Sequence, residues 1–277
     1  MPNLLRPGVG RGPMGQEKGT GLMARMTGIR AFAAAMVVAG PLGMASKAEA
    51  ATMVGLELVL LVDVSGSVDA NEYALQKGGY VQAFQSAAVQ NAIMNSQLGS
   101  IAVTYVEWSG AAQQAQLVNW TLVNDAASAN AFAAAIAGTS RAFSGLTAIG
   151  SAINYGAGLL AADNGFDSLR KVMDVSGDGT SNDGASVTAA RDAAVAAGIT
   201  INGLTIGTAS LLAYYQNNVI GGPGAFAIGV SDFADFAAAV EKKLIQEITG
   251  VPEPTTLALL GFGLAALGMA ARRRKAA

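Results

Sequence analysis

Five apolar residues in a row, Leu58-Val59-Leu60-Leu61-Val62, stop on an acid, and Asp63-Val64-Ser65-Gly66-Ser67 follows. No polar residue interrupts the run, so it reads as a strand buried on both faces, as inside a parallel sheet. Parallel neighbours require crossover connections, and the rest of the chain alternates accordingly. Strands are expected at 57–63, 101–106, 171–176, 199–206 and 225–230, with 114–123 as an edge strand paired to the second. Helices are expected at 71–94, 129–137, 148–161, 187–197, 211–219 and 233–248. In the first helix Tyr73, Val81, Phe84 and Ala88 are the expected core contacts. This alternation predicts an α/β fold: a mostly parallel sheet with helices on both faces.

Open sheets of this kind place ligands beyond the carboxyl ends of their strands. Asp63, Ser65 and Ser67 fall at such an end, and one carboxylate with neutral hydroxyls suits a small hard cation such as Mg²⁺. A polar turn with the two serines capping the next helix would use the same residues. Asp69 and Glu72 have capping-box spacing, so Asp69 is expected to be a cap rather than a ligand. Two later segments end similarly. Gly145-Leu146-Thr147 opens a helix, and Lys171-Val172-Met173-Asp174-Val175-Ser176-Gly177-Asp178-Gly179 reads as a strand closing on a glycine turn. Strand alternation puts Asp174, Ser176 and Asp178 on one side.

D-x-S-x-S, a distant G-x-T loop and a D-G turn, in this order, resemble the von Willebrand factor A domain family over about residues 52–250. The resemblance implies a metal-ion-dependent adhesion site (MIDAS) at Asp63, Ser65, Ser67, Thr147 and Asp178. It also implies a doubly wound, mostly parallel, Rossmann-like sheet, Mg²⁺ or Mn²⁺ as cofactor and a partner that presents a carboxylate to the metal. Asp174 departs from the usual apolar strand. It is expected either as a buried acceptor for hydroxyls or amides, or as a ligand in place of Asp178. Glu107 and Trp108, at the next strand's end, are read either as a rim facing the partner or as a packed Trp beside a solvated Glu.

The absence of Cys and His excludes disulfides, thiol chemistry, His-based triads and His zinc sites. Residues 51–250 carry 7 basic and 16 acidic residues, a net charge of −9, which argues against nucleic acid as a partner. The near-neutral total of −2 hides this, because ten basic residues lie in the two ends. Gly177-Asp178-Gly179-Thr180-Ser181-Asn182-Asp183 also resembles a loop of haloacid-dehalogenase-type Mg²⁺ phosphatases, with Asp63 as nucleophile. That family has an acid where this chain has Ser65, and its lysine lies further upstream than Lys171. A calcium-binding loop starting at Asp174 fails because its twelfth residue is Ala185. A structural matrix protein with an unused metal site is a third reading. Metal-dependent binding without catalysis is preferred.

The ends read as sorting signals, giving segments 1–50, 51–250 and 251–277. Arg25 and Arg30, the apolar 31–45 and Ala48-Glu49-Ala50 make a signal peptide, preceded by a Gly- and Arg-rich leader. At the other end, Val251-Pro252-Glu253-Pro254 precedes seventeen uncharged residues, 255–271, and then Arg272-Arg273-Arg274-Lys275. As a helix these seventeen span about 26 Å, barely a bilayer core, and the basic cluster stays inside. The arrangement resembles the PEP-CTERM sorting signal of Gram-negative bacteria. It implies an exosortase-type protease, a transient inner-membrane anchor, and delivery to the cell surface or extracellular matrix.

Overall fold

The computed structural model describes residues 50–250. Strand β2 (Leu56–Asp63) is buried along its whole length. Its alternation divides the core in two. Leu56, Leu58, Leu60 and Val62 join one apolar cluster, and Val59 and Leu61 join the other. Both faces of the sheet must therefore be covered.

A short β1 (Thr52–Val54) precedes β2. After it come helices α1 (Ala70–Gln85) and α2 (Ala87–Met94), strands β3 (Ile101–Trp108) and β4 (Gln114–Val123), and helices α3 (Ala126–Ala137) and α4 (Ile149–Ala161). Next are β5 (Phe166–Ser168), β6 (Lys171–Gly177), α5 (Val187–Ala196), β7 (Ile199–Ile206), α6 (Ala209–Asn218) and β8 (Ala227–Val230). A 3₁₀ turn at Phe233–Asp235 leads into α7 (Phe236–Thr249). The main sheet runs β4-β3-β2-β6-β7-β8. All neighbours are parallel except the β3–β4 pair. Tyr80 and Phe84 of α1, Phe132 of α3, and Phe236 and Leu244 of α7 fill the first face. Ile149 and Ile153 of α4, Val187 of α5, and Leu211 and Tyr215 of α6 fill the second. This is the α/β arrangement expected from the strand and helix alternation, and the doubly wound sheet that the family resemblance implies.

β2 lies between β3 and β6, so the chain winds outward from it in both directions. The topological switch point, where ligands bind in such sheets, is therefore at its carboxyl end, at Asp63.

The first helix, its core contacts and the last strand need correction, and one strand pair was not anticipated. The helix at 71–94 is two helices, because Ser86 is extended (ψ 139°) and its hydroxyl caps α2 by accepting from Val89 N–H. Ala88 consequently faces solvent, Tyr73 and Val81 sit at the core margin, and Tyr80 is the buried aromatic of α1. The last strand starts at Ala227 rather than 225. The small parallel β1–β5 pair has three residues per strand and shows no apolar run by which to recognise it. The signal peptide and the 255–271 span lie outside the described residues; among those described, no helix is long and apolar enough to cross a membrane.

Candidate metal centre

Asp63 is the last residue of β2 and is fully buried. One carboxylate oxygen, Oδ1, accepts from Ser65 N–H at 2.7 Å, which bends the loop back over the strand end. The other, Oδ2, is buried without a hydrogen-bond partner. Ser65 Oγ lies 3.1 Å from Ser67 Oγ, and Ser67 Oγ donates to Asp178 Oδ1 at 2.7 Å. A row of oxygens thus runs from Ser65 through Ser67 to Asp178 in the loop after β6, and the Ser65 backbone ties it to Asp63 at the end of β2.

Thr147 lies on a third loop, which is tied to the first and to the Asp178 loop. Gly66 N–H donates to Gly145 O at 2.8 Å, and Asn182 N–H donates to Thr147 O at 2.9 Å. Thr147 N–H donates to Asn182 Oδ1 at 2.9 Å. Thr147 is nearly buried, and its hydroxyl lies 3.9 Å from where a side chain on Gly179 would begin. Ser109, just after β3, accepts from Gly145 N–H and donates to Leu146 O. Asp183 accepts from Ala111 N–H. The three motif loops are therefore tied to one another and to the β3–β4 turn.

Arg141 is the residue that motif reasoning missed. Its guanidinium donates to Val64 O at 2.9 Å, Ser65 O at 2.8 Å and Phe143 O at 2.9 Å. It clamps the D-x-S-x-S backbone from below and stacks on Tyr73. Its sequence signal was available: it is the only cation between Lys77 and Arg170. Buried Gln76 of α1 adds a donor to Asp63 O at 3.0 Å.

Burial pushes the Asp63 carboxyl up to about 7 from its ordinary 3.8; nearby Asp178 adds to this, and the Ser65 hydrogen bonds and Arg141 oppose it. A desolvated carboxylate beside a row of hydroxyls is a place where a cation would offset the cost of burial. Two carboxylates and three hydroxyls, with no imidazole or thiolate, make a hard donor set that fits Mg²⁺ or Mn²⁺. No cluster of three or more acidic, His or Cys side chains occurs among the described residues, so hydroxyls would supply much of the ligation.

The other candidates are placed elsewhere. Asp69 caps α1 with the reciprocal Glu72 contact of a capping box. Asp174 lies mid-strand and fully buried, with its Oδ1 2.7 Å from the Lys243 ammonium. It is therefore neither a hydroxyl or amide acceptor nor beside the metal row. Glu107 is not solvated: it is fully buried and accepts from Tyr73, Tyr105 and Ala142 N–H. Trp108 is also fully buried, so neither forms a rim. Lys171 opens β6, donates to Leu160 O and lies 3.7 Å from Glu57. Asp178 follows the strand's other end, roughly 20 Å away at the usual rise per residue, so this lysine does not serve a phosphatase site.

Solved structures share the fold. Proximal thread matrix protein 1 from the mussel byssus matches with TM-score 0.55 and 17% identity, over 73% of this chain and 49% of that one. Another structure of that protein is described as having a zinc-occupied MIDAS motif. The pilus adhesin SpaC from Lactobacillus rhamnosus GG matches with TM-score 0.52 and 15% identity, over 72% of this chain and 32% of that one. A von Willebrand factor type A protein from Catenulispora acidiphila gives 0.51 and 14%, over 70% and 43%. The chain thus spans half or less of each of these proteins. No curated protein matches the sequence. A PEP-CTERM protein-sorting motif matches residues 250–275, marking the protein as exported. Residues 53–252 match the family model described as protein of unknown function DUF1194; the chain belongs to that family, on a von Willebrand factor A-type fold.

Proposed function

We propose that this protein is an exported adhesion or matrix-binding module that engages a partner's carboxylate through a divalent cation, without catalysis. The observation that carries the reading is the gathering of the Ser65, Ser67 and Asp178 oxygens beside the buried Asp63 carboxylate at the end of β2. Asp63, Ser65, Ser67, Thr147 and Asp178 would hold Mg²⁺ or Mn²⁺, some of them through water. The cation supplies a positive point on a domain whose net charge is −9, which gives an acidic group of a partner a reason to dock there. The zinc-occupied MIDAS of the byssus protein supports the reading by likeness of fold. The hard donor set here favours Mg²⁺ or Mn²⁺ over Zn²⁺. Export would proceed through a transient anchor at 255–271 and cleavage by an exosortase-type protease, delivering the domain to the cell surface or matrix.

The test is calorimetric titration of the protein with Mg²⁺, Mn²⁺ and Zn²⁺, repeated with Asp63→Ala, alongside a phosphatase assay. Binding of Mg²⁺ or Mn²⁺ that disappears in a still-folded Asp63→Ala supports the proposal. Unchanged affinity in that variant overturns the site, and Asp63-dependent phosphate release overturns the non-catalytic reading.

A further inference from the structure

Tyr215 belongs to the second core face, yet its hydroxyl is aimed at the candidate metal centre. The residue lies on α6 and is fully buried. Two glycines make the path for its ring. A side chain on Gly203 of β7 would begin 2.9 Å from the Tyr215 Cδ1, and one on Gly177 of β6 would begin 2.6 Å from its hydroxyl. That same point above Gly177 is 2.8 Å from Asp63 Oδ2. The phenol oxygen and Asp63 Oδ2 therefore face one small gap at the end of β6. Both are buried, and neither has a hydrogen-bond partner. Two adjacent unsatisfied polar atoms are costly in an interior and rarely accidental. A phenol donor beside a carboxylate acceptor is a matched pair.

We infer that Tyr215 is a positioning residue of the metal centre, its O–H held ready to donate to Asp63 Oδ2, directly or through one water. Ser65 N–H already fixes Oδ1. With Tyr215 on Oδ2, both carboxylate oxygens are oriented, and the loop from Asp63 to Ser67 presents its hydroxyls in one arrangement. The phenol touches the carboxylate and not the ion, a role that outer partners of metal ligands commonly fill. The inference rests on the proposed metal site, and it assigns a purpose to Gly177 and Gly203, since any side chain there would block the ring.

The experiment uses the whole domain-bearing chain and Tyr215→Phe. Mg²⁺ and Mn²⁺ affinities are measured by calorimetry, and thermal unfolding is followed with and without ion. Losing an outer-shell partner is expected to weaken metal binding about tenfold. Metal-free stability is expected to hold or rise, because a buried unpaired hydroxyl is removed. A merely structural tyrosine would give the opposite: lower metal-free stability at unchanged affinity. In the wild type, adding metal should also perturb the tyrosine ultraviolet band, and Tyr215→Phe should lack that change. Gly177→Ala, which crowds the same gap, should weaken binding likewise. Wild-type binding with equal affinity in Tyr215→Phe overturns the role of the phenol. A wild type that binds neither ion overturns the metal site itself, and the role of the phenol with it.

Discussion

Lys243 projects from α7 into the sheet with no exposed surface. It pairs with Asp174 Oδ1 and with Glu247 Oε1 one turn along; Asn202 of β7 also donates to Glu247 Oε1. One ammonium serves two buried carboxylates, so the cluster holds an excess negative charge unless one acid keeps a proton. Burial, with Asp174 adding to it and Lys243 opposing, pushes Glu247 up to about 7 from 4.5. Burial also raises Asp174, against the pull of Lys243. Arg170, Tyr80 and Tyr215 are other titratable groups in this field. A carboxyl raised on folding binds more protons in the native state, so its contribution is full below about 4.5 and is lost as pH rises through about 7. Urea unfolding across pH 4.5–8 should show stability falling over that window, and Glu247→Gln should flatten the slope. Lys243→Met strands both acids and should cost about 3–5 kcal/mol at neutral pH. The same residue-by-residue logic separates cap from ligand at the metal loop. Asp69→Ala should cost about 1 kcal/mol of stability and leave Mn²⁺ affinity intact. Asp178→Ala should do the reverse, read by calorimetry and thermal melts.

At the scale of elements, the loop that carries Asp178 is seated on the start of α4. A side chain on Gly150 would begin 2.2 Å from Ala185 O and 2.8 Å from Ala185 C, backbone atoms of that loop. Backbone cannot rotate aside, so Gly150→Ala must shift the loop or the helix. Overpacking of this kind costs about 1–3 kcal/mol. Because Asn182 and Asp183 of the same loop bond to Thr147 O, Gly150→Ala should also weaken Mn²⁺ binding, whereas Gly158→Ala, with open space around it, should do neither. These elements differ in how well they could be read in advance. β2 announces itself because residues buried on both faces leave an unbroken apolar run, and β7 because isoleucine and threonine, both β-branched, recur along it. The motif loops were legible because chemistry restricts their residue types. The break at Ser86 was not, since a serine between Gln85 and Ala87 suits a mid-helix surface as well as a cap. Asp174 was misjudged for a different reason: its partner Lys243 lies 69 positions away on a helix, and no local pattern marks a lysine that points inward. Tyr215 and Arg141 reach the metal loop only through tertiary packing.

For the molecule as a whole, the sheet has two ends with different tasks. The metal row lies at the carboxyl ends of β2 and β6, whereas the chain leaves α7 at the opposite end. There Arg170, just ahead of β6, donates to Glu247 O and Ile248 O and lies against Gly250. The length of β6 separates the two ends by roughly 20 Å. Binding at the metal face should therefore be indifferent to whether the sorting segment is present. Between Gly250 and Thr255 there are only four residues, Val251-Pro252-Glu253-Pro254, spanning at most about 14 Å. If 255–271 crosses the membrane, the domain base must sit close to the bilayer, with the two prolines keeping the connecting segment extended and off any helix. Such a segment would be open to a protease at the membrane face, and a seventeen-residue span, at the short end of the usual range, would make a marginal permanent anchor. Mature protein from its native host should start near Ala51 and end before Thr255 by intact mass spectrometry. It should also bind Mn²⁺ with the affinity of the unprocessed chain. Surface material that still ends at Ala277 would refute cleavage and leave a permanently anchored domain, with its metal face directed away from the membrane.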